Sequence, residues 1–167
     1  MSKLKIEVGQ ILYDNSTDIK YRILFIKNNR AVVCQMEVER LVMNYISIED
    51  IVLKVINNEL ILQINESNEI IDIEKMGEKE RSKYLRNKKV AEQIVKIYGP
   101  DYIRLSGKGS KKEVALIIET ANISRKVFWK ICRRYLQSGF KETALIDKKR
   151  KSTNNIYNYR KKQEEKI

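Results

Sequence analysis

The hydrophobic positions of the first half of this chain follow the short, turn-separated pattern of β-strands. Residues 9–13, 20–27 and 30–36 are rich in Ile, Val, Leu and Tyr, with turn-forming residues between them, which is typical of strands. Asn28 and Asn29 separate the second and third segments, and asparagine tolerates the positive φ that a tight hairpin turn requires. The pattern therefore predicts an antiparallel hairpin among several short strands.

Two further apolar runs, residues 41–46 and 51–64, flank a short polar segment that begins at Ser47. The serine and the acids that follow it can cap a single helical turn. A small antiparallel barrel fits these elements best. The alternative is a helix at residues 38–46, because their apolar positions also suit a helix, and the pattern alone does not separate the two.

A period near 3.6 residues appears after a connecting segment at residues 65–75. It predicts a long amphipathic helix over residues 79–98, and Gly99 followed by Pro100 is a typical helix end. The loop at residues 106–110 lacks the spacing of a phosphate-binding P-loop and is interpreted as a connector.

Two shorter helices are predicted next, at residues 111–120 and 125–138. Ser110, with an acid three residues later, forms a capping box for the first. Asn122 is expected to adopt a left-handed conformation in the break, and Ser124 is expected to cap the second helix. Two helices joined by so short a turn form a helix-turn-helix.

These elements predict an α+β chain in three parts. A small β-rich, barrel-like domain covers residues 1–73, a helical domain with the helix-turn-helix covers residues 74–146, and a basic, flexible tail covers residues 147–167. No apolar run approaches the roughly 20 residues that cross a bilayer, and the N-terminus lacks a signal-peptide pattern. We therefore expect a cytoplasmic protein without a membrane partner.

The positive charge lies in the second half of the chain. The whole sequence has a formal net charge of +12. Residues 1–78 contain 9 Lys and Arg against 13 Asp and Glu, a net of −4, whereas residues 79–167 contain 25 against 9, a net of +16. A general bias in residue usage would raise both halves, so the asymmetry predicts an acidic partner for the second half, most commonly nucleic acid.

The last predicted helix places apolar residues on one side and cations on the other. If Ile123, Phe128, Ile131, Cys132 and Tyr135 pack inward, the cations face outward. The N-terminal part of the second helix of a helix-turn-helix enters the major groove of DNA. The residues expected to meet base edges are Ser124, Arg125, Lys126, Trp129 and Lys130, and those expected to meet phosphates are Arg133 and Arg134.

Several alternatives stay open for these residues. A basic helix face is often only a solvated face. Trp129 either closes the core, stacks on a sugar or lies along the DNA backbone. Lys148, Lys149 and Arg150 form either an arm that follows a DNA groove or a soluble linker.

The residue types do not indicate a catalytic or metal site. Histidine is absent, so the usual general base is missing. Cys34 and Cys132 lie far apart in the sequence and suggest neither a zinc ligand set nor a disulfide framework, so we expect both in the core. The carboxylates have no spacing that requires a shared metal. We therefore expect no metal, no cofactor, no small-molecule substrate and no enzyme activity in this chain.

Two segments resemble a known protein family, the TnsB-type transposases, which transfer DNA strands in heteromeric cut-and-paste elements related to Mu. The family's first strand ends in Phe-Asp-Asn and precedes Tyr-Arg-Ile-Leu; the similar segments here are Ile6-Glu7-Val8-Gly9-Gln10-Ile11-Leu12-Tyr13-Asp14-Asn15 and Tyr21-Arg22-Ile23-Leu24. The family's Arg-Arg-Tyr-Trp-Gln-x-Gly helix end and Ala-Leu-(Ile/Leu) element resemble Lys130-Ile131-Cys132-Arg133-Arg134-Tyr135-Leu136-Gln137-Ser138-Gly139 and Ala144-Leu145-Ile146. Leu136 replaces the usual Trp, and Glu142 stands where Pro is common.

The resemblance covers almost the whole chain, although residues 38–79 match loosely. It implies sequence-specific binding of double-stranded DNA at transposon end repeats, with other transposition subunits as further partners. In the family, an RNase H-like catalytic domain with an Asp-Asp-Glu triad follows this region and has no room after residue 167, so the resemblance implies a fragment or split-off binding module. The alternatives are a stand-alone helix-turn-helix transcriptional regulator and a protein-interaction module that docks partners through its acidic β domain.

Overall fold

The computed structural model describes residues 4–64, 69–107 and 111–147 of the chain. The strands are β1 (Ile11–Asp14), β2 (Ile19–Lys27), β3 (Arg30–Gln35), β4 (Met43–Ser47) and β5 (Leu60–Gln63). The α-helices are α1 (Ile48–Ile56), α2 (Glu78–Tyr98), α3 (Lys111–Ala121) and α4 (Arg125–Gln137). The protein is therefore α+β, as the sequence predicts.

The strands form one antiparallel sheet in the order β4-β3-β2-β1-β5. The β2–β3 hairpin pairs Lys27 with Arg30. Asn28 and Asn29 between them have φ of +50° and +59°, which confirms the predicted tight turn. In this order β4 and β5 are the two ends of the sheet.

The segment after β4 differs from the expected single helical turn, because α1 continues for nine residues to Ile56. Ser47 does cap this helix, since its hydroxyl accepts a hydrogen bond from the Asp50 amide at 3.0 Å. Ile51 is buried against the sheet, and Ile48 and Val55 pack beside it. This apolar face stabilises the helix beyond its first turn. The second apolar run is thus divided between α1 and β5, and the alternative helix at residues 38–46 does not form.

The three later helices agree with their predicted bounds to within one residue. Gly99 follows the end of α2, Asn122 has φ of +50° in the break between α3 and α4, and Ser124 caps α4. The predicted capping serine, Ser110, lies outside the described residues. Its expected partner, Glu113, accepts hydrogen bonds from Arg104 at 2.8 Å and Tyr98 at 3.2 Å.

The sheet has apolar residues on both faces and shares its core with the helices. Ile23 and Val33 pack with Ile51 of α1 on one face. The neighbouring residues Leu24 and Cys34 point to the other face, because successive side chains of a strand alternate. There they join the core that contains most of the buried side chains of α2, α3 and α4. The two predicted domains therefore pack against each other across a common core.

A buried arginine connects the sheet to the end of α4. Arg22 in β2 is only 5% exposed. Its Nη1 donates to the carbonyl oxygen of Gly9 at 2.6 Å, and its Nε donates to the carbonyl oxygen of Gln137 at 3.2 Å. Gln137 is the last residue of α4, where carbonyl groups lack partners within the helix and the helix dipole is negative. A cation is therefore well placed at this point.

Gly139 allows the arginine to lie close to the chain after α4. Its φ is +74°, and a Cβ at this position would lie 3.2 Å from Cδ of Arg22. Both the left-handed conformation and the close approach favour glycine. The turn after α4 and the buried guanidinium thus depend on each other.

We expect Arg22→Met to lower the free energy of unfolding by about 2 to 4 kcal/mol, because the carbonyl oxygens of Gly9 and Gln137, one buried and one partly buried, lose a charged donor. Urea unfolding of the full chain measures this change. Arg30→Met is the matched control, since Arg30 is exposed at the start of β3, and should change stability by less than about 0.5 kcal/mol. Equal stabilities of the two variants would contradict the assigned role of Arg22.

Candidate nucleic-acid interface

The first turn of α4 presents two exposed cations. The hydroxyl of Ser124 accepts a hydrogen bond from the Val127 amide at 3.3 Å, which starts the helix. Arg125 and Lys126 follow it, and both are exposed. Neither has a hydrogen-bonded or ion-paired partner within the described part of the chain. These three predicted residues therefore lie together at an accessible helix N-terminus.

The opposite side of α4 holds it against the core. Phe128, Ile131, Cys132 and Leu136 are buried, which confirms the predicted inward positions of the first three. Tyr135 is only partly buried. Leu136 was not among the predicted inward residues and is fully buried. The outward direction of Arg125 and Lys126 follows from this packing.

Trp129 is partly buried and packs against the core. Its ring meets Phe128 edge-on, with 5.1 Å between ring centroids. It also lines a recess of about 350 Å³ together with Arg40, Leu105 and Arg133. The first of the three alternatives for Trp129, closing the core, therefore describes its contacts best, although part of the indole remains accessible.

Lys130 and Arg134 both contact Asp147. The Nζ of Lys130 lies 3.1 Å from Oδ1 of Asp147, and Nη1 of Arg134 lies 3.3 Å from the same oxygen. Arg134 also donates through Nη2 to the carbonyl oxygen of Ile146 at 2.7 Å. Arg134 is thus directed toward the end of the described chain, whereas half of the Lys130 side chain remains exposed.

These contacts lower the pKa of Asp147. Burial alone raises the pKa of its carboxyl group, but the hydrogen bond and charge of Lys130, together with the charges of Arg134 and Lys83, lower it by more. Asp147 is therefore ionised at neutral pH. It competes with any other anion for Lys130.

The segment that positions Asp147 is held by α2. The hydroxyl of Tyr84 donates to Oε2 of Glu142 at 2.7 Å, and Lys88 lies 3.2 Å from Oε1 of Glu142. The Asn87 side chain donates to the carbonyl oxygen of Leu145 at 2.8 Å. These bonds fix a short 3-10 helix, Glu142–Leu145, against the long helix.

The Tyr84–Glu142 hydrogen bond perturbs both groups. Burial, and then the bond to Glu142, raises the pKa of Tyr84 to about 12. The bond from Tyr84, and then the one from Lys88, lowers the pKa of Glu142. The carboxylate of Glu142 is therefore stabilised in its ionised form by the fold.

Arg133 contacts the β-rich part of the chain. Its Nη1 donates to the carbonyl oxygen of Glu39, in the loop between β3 and β4. Arg133 and Arg134 thus diverge, one toward this loop and the other toward Ile146. The structure brings Ser124, Arg125 and Lys126 together, and it engages Lys130, Arg133 and Arg134 with other parts of the chain.

The other predicted contacts, Lys148, Lys149 and Arg150, lie outside the described residues. Sequence reasoning did not find Arg40, Glu39 or Asp147 as neighbours of α4. Their contacts with the helix are made by tertiary folding, and the local pattern contains no signal for them.

Both cysteines are buried and unpaired, which confirms their predicted place in the core. Burial raises the pKa of the Cys34 thiol to about 12, although the charge of Arg22 opposes this shift. Burial also raises the pKa of Cys132, and Cys34 adds to that shift. Since the thiolate is the reactive form, neither thiol is a nucleophile at neutral pH.

No protein-family model matches the chain, and no curated protein matches it.

Within residues 4–64, 69–107 and 111–147, no helix combines the length and apolar character needed to cross a membrane. The same residues contain no group of three or more acidic or cysteine side chains placed to hold a metal ion.

We expect Glu142→Gln to reduce stability in a pH-dependent way. Because folding lowers the pKa of Glu142, its ionised form stabilises the protein fully above about pH 5, and this contribution disappears as the pH falls through the lowered pKa. Half of the side chain is exposed, so the loss near pH 7 should be about 1 kcal/mol or less. Urea unfolding between pH 3 and 7 measures it.

The matched control is Glu59→Gln, since Glu59 is exposed and its side chain has no partner among the described residues. A stability difference between the wild type and Glu142→Gln that stays constant down to pH 3 would contradict the assignment.

Proposed function

We propose that this chain binds double-stranded DNA through the outward face of α4. The observation that carries the proposal is a pair of exposed cations, Arg125 and Lys126, on the first turn of a helix whose other face is buried. Neither has a hydrogen-bonded or ion-paired partner among the described residues. The charge asymmetry of the sequence supports it, because the cations of α4 lie in the half with a net charge of +16.

The dimensions and chemistry of α4 suit the major groove. A helix with its side chains is about 10 to 12 Å across, and the major groove of B-DNA is about 12 Å wide. An arginine that contacts O6 and N7 of guanine discriminates by about 1 to 3 kcal/mol. In this proposal α3 and α4 form a helix-turn-helix, and Arg125 and Lys126 meet base edges. Lys130, which the sequence assigned to a base edge, meets a phosphate instead, because its ion pair with Asp147 directs it away from the first turn.

Arg134 has a different role in the proposal from the one its sequence position suggested. Its guanidinium contacts Ile146 and Asp147, so it holds the segment after α4 in place. The sheet supports α4 from the other side through Arg22 and Gln137. In this proposal the five-stranded sheet is the barrel-like domain that the sequence predicts.

We further propose that the DNA target is a transposon end repeat, as in TnsB-type transposases. The support is the resemblance itself and the way its residues lie in the fold. Arg22 of the first motif contacts Gln137 and lies against Gly139 of the second, and Arg134 contacts Ile146. The residues of the two motifs therefore meet where the sheet contacts α4. In this proposal the chain recognises DNA, and a separate catalytic domain cleaves the strands.

Arg125→Ala and Lys126→Ala should each reduce sequence discrimination by about 1 to 3 kcal/mol, because both remove a base-edge contact. Duplexes selected from a random library by the wild-type chain, and scrambled versions of them, are compared by fluorescence anisotropy at moderate salt. Arg30→Ala and Lys54→Ala are matched controls, since both residues are exposed in the β-rich part. Failure of selection, or equal wild-type affinity for selected and scrambled duplexes, would refute specific binding.

Asp147→Asn should tighten binding to all duplexes about two- to fivefold. The wild-type protein must break the exposed Lys130–Asp147 ion pair before Lys130 binds a phosphate, which costs about 0.5 to 1 kcal/mol, and the variant avoids this cost. The same anisotropy titration measures this. Asp50→Asn is the control, because it changes the net charge equally. Asp50 lies beside Ser47, which pairs with the start of β3, whereas α4 contacts Gln35 at the other end of that strand. Equal effects of the two substitutions would show that only net charge matters.

A further inference from the structure

We infer that the loop between β3 and β4, residues 36–42, is a second DNA contact, in which Arg40 binds a backbone phosphate and Arg133 is a positioning residue. This inference rests on the proposed binding of DNA by α4. It assigns a nucleic-acid contact to the acidic half of the chain, in which the sequence indicated none.

Three hydrogen bonds hold the loop and the end of β3 against α4. Arg133 donates to the carbonyl oxygen of Glu39. The side-chain nitrogen of Gln137 donates to the carbonyl oxygens of Val38 at 3.0 Å and Gln35 at 3.2 Å. Arg133 and Gln137 are four positions apart and so lie on one face of the helix. That face is therefore in direct contact with the loop.

The loop has a defined conformation at its base. The amide of Gln35 donates to the carbonyl oxygen of Val42 at 2.9 Å, and the amide of Met36 donates to that of Lys20 at 2.8 Å. Glu37 has φ of +60° and its carboxylate lies 3.2 Å from Nζ of Lys20. Residues between these closures, including Arg40, are consequently held at a definite place beside α4.

Arg40 is available to an external anion. Its side chain is exposed and has no hydrogen-bonded or ion-paired partner in the described ranges. It shares a recess of about 350 Å³ with Trp129 and Arg133 of α4. A cation from the β-rich part thus lies next to the helix that carries Arg125.

The distance from Arg125 to Arg133 along α4 exceeds the depth of the major groove. Arg125, Trp129 and Arg133 are spaced four residues apart and form a stripe, and Arg133 is about 12 Å from Arg125 along the helix axis at 1.5 Å per residue. The major groove is about 8.5 Å deep and is bordered by phosphates. With the first turn of α4 at the bases, the loop beside Arg133 lies at the level of the backbone.

A substitution at Glu39 tests the same contact and should change the DNA affinity in the opposite direction from one at Arg40. It is the neighbour of Arg40 in the same recess and is exposed. Only its backbone carbonyl is engaged with α4, so Glu39→Gln removes a negative charge without removing that contact. If the loop faces DNA, this charge repels phosphates and its removal strengthens binding.

The experiment measures the affinity of the full chain for the selected and scrambled duplexes over a range of salt concentrations. Arg40→Gln should weaken binding to both duplexes alike and reduce the slope of log K against log[salt] by about 1 in magnitude. Glu39→Gln should tighten binding to both. Arg30→Gln, at the other end of β3, is the matched control and should leave the slope unchanged.

The positioning role of Arg133 is tested by a double-mutant cycle. If Arg133 holds the loop, the effect of Arg40→Gln on affinity should shrink in an Arg133→Ala background. Additive effects of the two substitutions would overturn this role.

The titrations distinguish failure of the proposed DNA binding from failure of the loop contact. If wild-type protein binds neither duplex, the proposed function fails and the inference fails with it. If wild-type protein binds, but Arg40→Gln keeps the wild-type slope and Glu39→Gln keeps the wild-type affinity, the loop is not a DNA contact while the role of α4 stands.

Discussion

The structure depends on a buried guanidinium between the sheet and the C-terminus of α4. Removing a charged group from water is costly unless it is fully hydrogen-bonded. Arg22 donates to the carbonyl oxygens of Gly9 and Gln137, which offsets part of this cost, and the negative end of the helix dipole favours its charge. Gly139 leaves the space that the side chain needs. Without this contact α4 would be held on the β-rich part only by apolar packing and by the hydrogen bonds of Gln137 and Arg133 to the end of β3 and the β3–β4 loop.

Holding α4 at its C-terminal end divides the helix into two functional parts. Arg133, Arg134 and Gln137, in its second half, contact the β3–β4 loop and the segment around Ile146. Arg125 and Lys126, in its first turn, have no such partners in the described chain. The same basic helix therefore provides both the structural joint and the proposed DNA-binding surface. A basic helix face alone does not reveal this division.

Local patterns were sufficient where a local interaction determines the structure. The apolar period and Gly99 placed α2 correctly, and the asparagines at positions 28 and 29 placed the hairpin, because turn conformation depends on the residues in the turn. The extent of α1 was underestimated, since a short apolar run suits a strand and a helix equally. The packing of Ile51 against the sheet, a tertiary contact, selects the helix.

The sequence by itself determined the α+β class, the bounds of α2, α3 and α4, the buried cysteines and the cationic side of α4, because these properties depend on neighbouring residues and on composition. Only the tertiary structure decided which cations remain available. Arg133 meets Glu39 across 94 positions, and Arg22 meets Gln137 across 115. Such contacts arise when the sheet and helices pack around a common core, and periodicity along the chain contains no information about which charges will then be neighbours.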